Sequence, residues 1–539
     1  MLEATGHLPE EYELLRESAH TSLERMKLFG RLIDESGAVE ALEGWAKDER
    51  KSNAGRKAKF SFRAVLILYL MHVDARDNRY NTIARTLFAQ LTPETRAYLG
   101  LPAIRGSKRQ WYCRYWRAMN RILALTDPWT VDRKRKACEE TYQRALGSYS
   151  QERRDRMDVL MNLLIHSAVN RLPHDIRATY KGNVALDATF IEVVGEANPN
   201  AANTHLRRLN LDAMSGRYRR GGNHLGRGAK KDKAGYEMET VVTVPNAPGQ
   251  PESFPVLTTG LAFHQPGRIK HGPRIAMTFH AKQFDERGFI LADRAYNGSK
   301  PHRFQKPTRK MGFRHVYDYK LKQSGKQGAI DDVILVGGRL YVKWMPKALI
   351  TARVDYKAGH IDLPTYQARL ASRSPYELKD KGRPDADGHQ RFLYPDLSKL
   401  MCIDPATEKV VRPKRTKTTF LLAPDNAMSM QIIKHLNAFQ HKSPKWRAWY
   451  GMRSHVESNN QFVKNDHETD LGNPEKRRPR GYAYQALTSA MAFTVANMRR
   501  IVRFIEAAAL KELDAKTLEH RARRRTDEFG NRLDHPVTP

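Results

Sequence analysis

Near residue 182 the hydrophobic pattern changes period, and that change divides what this chain can fold into. Before it, apolar residues recur at helical spacing. Residues 63–73 are apolar almost all round, which predicts a buried helix. Residues 81–90 predict another. Thr92-Pro93 then marks a helix start, with Thr92 as cap and Pro93 in the first helical position. Residues 111–125 read as an amphipathic helix that mixes Arg114, Arg117 and Arg121 with aromatics. This run of short helices has two readings. One is a helix-turn-helix. The other is a plain bundle with its arginines on the wet face.

After residue 182 the runs are strand-like. Residues 184–191 predict a strand opened by Lys181-Gly182-Asn183. Residues 198–233 are rich in Asn, Gly and Arg and include Arg217-Tyr218-Arg219-Arg220. They read as a loop unable to build a core, either ordered on a phosphate backbone or solvated. Strands at 236–244 and 254–263 and a helix near 271–285 follow. Residues 288–293 are a short apolar run ending in Asp293, which predicts a buried strand. Residues 333–342, with Gly337-Gly338 at their centre, predict a hairpin inside a mainly β insertion. A strand at 420–423 and helices near 428–441, 446–466 and 482–512 complete the pattern. The tail beyond Leu518, with Arg521, Arg523, Arg524 and Arg525, reads as disordered.

At 539 residues the chain is too long for one ordinary core and predicts two to four domains. No apolar run approaches about 18 residues, which excludes a spanning helix. The first residues carry acids and no apolar stretch, so no secretory signal is expected. Cys113, Cys138 and Cys402 are scattered, which supports neither a disulfide framework nor a zinc ribbon and suits a reducing compartment. Lysine and arginine number 93 against 59 acids, a net charge of +34. A chain this basic attracts polyanions. That fits a ribosomal protein, a nucleic-acid packager or a nucleic-acid enzyme without choosing among them.

The candidate chemistry lies in residues 449–465. On one helix turning about 100° per residue, with Tyr450 at 0°, Arg453 falls near about −60°, Glu457 about −20° and Lys464 about −40°. Tyr, Arg, Glu and Lys then share one narrow arc beside an apolar stripe of Trp449, Met452, Val456 and Val463. Taken alone this is an ordinary solvated face with an i,i+4 Arg–Glu pair. Two further acids add weight. Asp187 interrupts an apolar strand and Asp293 ends another, where acids are rarely placed without a role. Three clustered carboxylates repel one another unless cations lie between them. Hard divalent ions, Mg²⁺ or Mn²⁺, suit oxygen ligands. Two such ions about 4 Å apart can activate a water or a 3′-hydroxyl against a phosphodiester. Glu192 lies five residues after Asp187, on the other strand face, and is rejected as a ligand. His264 and His271 flank a Gly-Pro-rich turn and read either as solvated loop histidines or, one of them, as a neighbour of the metal ions, and Glu468 reads as a local ion-pair partner of Lys464.

The spacing Tyr450-x2-Arg453-x3-Glu457-x6-Lys464 resembles the Y-R-E-K signature of the DDE transposases of bacterial insertion sequences, of the insertion-sequence-four type. Asp187, in Leu186-Asp187-Ala188-Thr189-Phe190, is similar to that family's first-acid motif. Asp293, in Ala292-Asp293-Arg294-Ala295-Tyr296, is similar to its second. The resemblance covers about 180–510. It implies an α/β fold with an RNase-H-like catalytic core, a helical N-terminal DNA-binding region and a mainly β insertion before the catalytic Glu helix. The implied divisions are 1–175 for DNA-end binding, 180–321 and 416–515 for the two parts of the core, 322–415 for the insertion and 516–539 for a basic tail. It also implies cut-and-paste DNA transposition. Asp187, Asp293 and Glu457 would be catalytic and hold two Mg²⁺ ions, with Mn²⁺ as a substitute. Tyr450, Arg453 and Lys464 would contact DNA phosphates. The implied partners are double-stranded DNA, as terminal inverted repeats and target, and a second copy of the chain in a synaptic homodimer, with no membrane. The implied location is the cytoplasm of a prokaryotic host, at the nucleoid. Two rival readings remain: a metal-dependent endonuclease on the same core, and a non-catalytic, domesticated DNA-binding protein.

Overall fold

The structure is a computed structural model that describes residues 20–50, 52, 58–130, 139–195, 212–220, 231–268, 270–320, 323–414 and 417–513. The basic tail and Cys138 lie outside the described residues. The fold is mixed α/β. Its strands begin where the periodicity changes: β1 (Val184–Glu192), β2 (Gly216–Arg220), β3 (Lys231–Thr243), β4 (Thr258–His264), β5 (Phe289–Ala292) and β6 (Arg314–Tyr317). They form one sheet in the order β2–β3–β1–β5–β6, and β4 lies beside β2 along the same edge of β3. β3 runs antiparallel to β1, β2 and β4, whereas β1, β5 and β6 are parallel. A parallel neighbour needs a crossover, and the helix Gly272–Gln283 between β4 and β5 supplies it.

Both faces of this sheet are covered, which is why its central strands read as near-continuous apolar runs. Val184, Leu186, Ile290 and Ala292 pack on Ala276 and Met277 of the crossover helix. Ala185, Leu291 and Val316 point the other way, onto Trp446, Met452 and Val456. Those three belong to the turn and helices Pro444–Gly451 and Ser454–Lys464.

The N-terminal region is helical. Phe62–Asp74 is buried at every position from Ala64 onward, as its all-round apolar pattern predicts, and Ser61 caps it. Thr92 caps Pro93–Tyr98 by accepting from the Thr95 N–H at 3.3 Å. In Lys108–Thr126, Arg114 lies over the Trp111 ring at 4.6 Å and Arg121 over Phe62 at 4.5 Å. Two of the three arginines therefore cover core aromatics, and Arg117 is exposed. These helices share one core with the long C-terminal helix Tyr482–Leu513 and with Tyr236, Met238, Leu261 and Phe263 of the sheet. Asp74 ties the two ends of the chain together, bonded by Arg25 on one side and by Arg499 at 2.8 Å on the other.

Three expectations differ from the structure. Arg217–Arg220 is strand β2, because β3 runs past the end of β4 and offers it a free edge at Lys231–Gly235. The insertion contains two helices, Lys347–Lys357 and Leu363–Ala371, beside its short strands. The second carries its own start signal, Asp362 accepting from the Thr365 N–H at 2.9 Å with a proline in the first turn. Its hairpin is as expected, with Val333–Val336 and Arg339–Val342 joined through Gly337 and Gly338, both at positive φ. The strand Thr419–Leu422 pairs with Gln390–Leu393, and Ile432 and Ile433 of the following helix pack into the hairpin's core. The third difference concerns the helix expected at 446–466, which is two helices. The chain tightens at Gly451–Arg453 into bonds three residues apart, Arg453 N–H to Tyr450 C=O at 3.0 Å and Val456 N–H to Arg453 C=O at 3.1 Å. Glycine is a weak helix former, and it sits at the break. Among the described residues no helix is long and apolar enough to cross a membrane.

Candidate functional site

The register of the parallel strands decides where the acids stand. Leu186 pairs with Ala292, and Ala292 with Tyr317. The next residues along the three strands, Asp187, Asp293 and Asp318, therefore line one end of the sheet side by side. Each comes two positions after Ala185, Leu291 or Val316, which pack on the Glu457 side. All three thus emerge on the face covered by the helix Ser454–Lys464. Two of them, Asp187 and Asp293, are the acids singled out in the sequence.

Arg453 joins the strand to the helix. Its Nη1 is 3.5 Å from Asp187 Oδ2, and its Nη2 donates to Glu457 Oε1 at 2.5 Å. Its guanidinium lies 5.8 Å from the Tyr450 ring centroid, and that ring stacks on Trp446 at 4.5 Å. The break at Gly451–Arg453 keeps Tyr450 beside Arg453, since residues three apart share a side in a tight turn. The single arc calculated for one continuous helix is corrected accordingly: Tyr450 leaves one helix and Glu457 belongs to the next. Two bonds anchor the second helix on the sheet. Thr240 Oγ1 donates to Asn460 Oδ1 at 3.1 Å, and Asn459 Nδ2 donates to Thr258 Oγ1 at 2.8 Å.

The electrostatics follow from this packing. Burial first, and then Asp293 and Glu239, push the Asp187 carboxyl up to about 7 against the pull of Arg453. Burial opposes the Arg453 charge, but Tyr450, Glu457 and Asp187 outweigh it and hold the guanidinium above its ordinary value. Burial, with Arg477, pushes the Lys464 ammonium down to about 8, while Asp187 and Glu192 pull it back. Lys464 thus faces the strand that carries Asp187. Burial raises the Tyr450 hydroxyl. Asp293 Oδ1 accepts from the Ala295 N–H at 2.6 Å. Glu457 is the open member, with half of its side chain exposed.

Three features were missed from sequence. Asp318 accepts from His441 Nε2–H at 2.7 Å, and the His441 ring stands edge-on to Trp446 at 4.7 Å. Burial alone would raise this carboxyl. The His441 bond and Lys442 reverse that and hold it well below the usual carboxylate range. The run before Asp318 ends in an acid as 288–293 does, but Arg314 and His315 disguise it as polar. On the opposite face, Glu239 is fully buried. It accepts from His264 Nε2–H at 3.0 Å and from the Tyr296 hydroxyl at 2.6 Å. His264 is accordingly a buried β4 residue and not a solvated loop histidine; burial lowers its basicity, but Glu239 raises it above the ordinary value. Glu237 and Glu239 alternate with other residues along the strand, a pattern that gives no sign of this burial. Glu468 pairs with Arg499 and Arg503, not with Lys464, because the chain turns at Asn465. Glu192 is bonded to Lys233, across the sheet edge from the acids.

Oxygen donors on adjacent strands with a raised proton affinity are the chemistry a hard divalent cation relieves. Asp187 has that raised affinity, and Asp293 stands beside it on the adjacent strand. Glu457 reaches Asp187 only through Arg453. Among the described residues, no three His, Cys, Asp and Glu side chains are grouped closely enough to hold one ion as they stand. No family model, curated protein or solved structure matches this chain.

Proposed function

We propose that this chain is a DDE-type DNA transposase, cutting at transposon ends and joining them to target DNA from an RNase-H-like core. One observation carries the reading. Asp187 and Asp293 stand side by side on parallel strands, and Arg453 ties Asp187 to Glu457 on the covering helix. The order of the sheet, an antiparallel β1–β3–β4 unit continued by parallel β5 and β6, is compatible with that core.

Asp187, Asp293 and Glu457 would hold the divalent ions, Mg²⁺ or Mn²⁺. Bound there, such ions activate a water or a 3′-hydroxyl and neutralise the leaving oxygen. The chain's own part is positioning. Arg453 offers a planar fork to a phosphate, and its pairing with Glu457 holds it ready at the mouth of the site. Lys464, depressed to about 8, is a point charge that a phosphate would restore. The Trp446–Tyr450 stack walls one side and excludes water there. Asp318, through His441, braces that wall. The partners would be double-stranded DNA and a second copy of the chain at paired ends.

The test is cleavage and strand transfer on DNA carrying the element's own ends. Asp187→Asn, Asp293→Asn and Glu457→Gln should each abolish both reactions while leaving DNA affinity within about threefold of wild type. Normal cleavage by these variants would sink the reading. Cleavage without strand-transfer products would make the chain an endonuclease instead.

A further inference from the structure

A second polar site lies where the insertion meets Tyr319 and His441, beside Asp318. Arg373 follows the helix Leu363–Ala371 and is 2 % exposed. Its Nε donates to Leu349 C=O at 2.7 Å and its Nη2 to Ile350 C=O at 3.5 Å. Among the described residues no carboxylate pairs with it. A buried guanidinium without an anion is costly, and a fold retains one where an anion can reach it. Its Nη1 lies 3.3 Å from where a Cβ on Gly337 would stand, beneath the hairpin turn.

That turn roofs a narrow cleft, open to solvent on one side and with room inside for about one water as it stands, lined by Arg373, Arg353, Ser324, Tyr319, Gly337 and His441. Arg353 donates Nε–H to Ser324 Oγ at 3.2 Å, and it too has no carboxylate partner among the described residues. The acids nearby are already engaged, Asp318 by His441 at 2.7 Å and Asp355 by Arg369 at 2.8 Å. Two guanidiniums and a hydroxyl around a cleft without a carboxylate on its wall form an anion receptor. The fork geometry of arginine pairs bidentately with oxyanions, phosphate among them.

We propose that this cleft binds a phosphate group, either of the nucleic-acid backbone or of a free phosphate compound. The site does not depend on the transposase reading, since no residue of the aspartate row lines it. The test titrates the full chain with inorganic phosphate, with chloride at equal ionic strength as control, following binding heat and thermal unfolding. Binding should saturate and should weaken roughly tenfold or more in Arg353→Ala. Arg373→Lys, which keeps the charge and loses the fork, should weaken it as well. Lys357→Ala, an exposed cation on the same helix, should leave it unchanged. Phosphate that displaces a short DNA duplex identifies the backbone as the source. Phosphate that binds beside the duplex identifies a free compound. Non-saturating binding, or equal affinity in Arg353→Ala and wild type, would overturn the proposal.

Discussion

Asp187 concentrates the argument at the scale of the residue. Its carboxyl, pushed up to about 7 by burial and by Asp293 and Glu239, stays protonated in the folded chain at pH values where the unfolded chain has lost that proton. The folded state then binds more protons than the unfolded one, so this group makes stability fall as pH rises from about 4 to about 7. Asp187→Asn should remove that fall. Thermal unfolding at pH 8 should place the variant ~1–2 °C above wild type, with the gap closing by pH 4. A gap that widens toward acid would mean the carboxylate is stabilised rather than strained. Asp318 is the counterexample two strands along the sheet end. There a neutral His441 and Lys442 keep the charged form, so the same residue type at an equivalent strand position has the opposite electrostatics. Sequence could mark Asp187 and Asp293 because each stands out in an apolar run. It could not distinguish an acid strained by burial from one already satisfied, since the satisfying groups come from 123 residues away.

The helix Ser454–Lys464 is the element that brings Glu457 to Asp187, through Arg453. Its apolar side, Val456 and Val463, was legible from spacing, and so was the grouping of Arg453 with Glu457. Its break at Gly451–Arg453 was not, because a tight turn preserves the three-residue neighbourhood that the helical arithmetic counts. Its seat on the sheet depends on two buried amide–hydroxyl bonds. Asn459→Ala would leave Thr258 Oγ1 without the amide that donates to it at 2.8 Å. The expected cost is about 1–3 kcal/mol, read as a lower urea midpoint with an unchanged slope. An unchanged midpoint would mean the helix is held by Val456 and Met452 alone. Thr258 is gripped a second time by Asn497 of the long C-terminal helix, whose amide bonds both its N–H and its C=O at 2.8 Å. One strand start thus fixes two helices, and no local pattern announces it.

Across the whole molecule, the +34 charge and the fold have to be reconciled. Part of the surplus is spent internally: Arg25 and Arg499 on Asp74, Arg477 buried against Glu192 and Leu471 carbonyls, Arg114 and Arg121 over aromatic rings. Among the described residues other cations, Arg117 and Lys357 among them, face outward, and DNA affinity should fall steeply with salt, with a log–log slope of about −0.9 per phosphate contacted. A flat dependence would assign that charge to something other than a nucleic acid. The N-terminal helices bear on this, because their core is continuous with the sheet and the C-terminal helix. Any DNA they hold is therefore held rigidly relative to Asp187. What the sequence by itself determined was the local grammar: the change of period at residue 182, the buried helix Phe62–Asp74, the Gly-Gly hairpin, the Thr92 cap, and two acids out of place in apolar strands. Each of those depends on neighbours within a few residues, where steric and hydrophobic periodicity is written directly. The tertiary structure alone decided the rest. Parallel register put Asp293 beside Asp187, 106 positions away in the chain, and Asp318 beside Asp293; antiparallel pairing on β3 gave β2 its edge and made His264 a core residue bonded to Glu239. Those pairings are set by which apolar faces bury each other across the sheet, a global competition that leaves no spacing in the sequence to read.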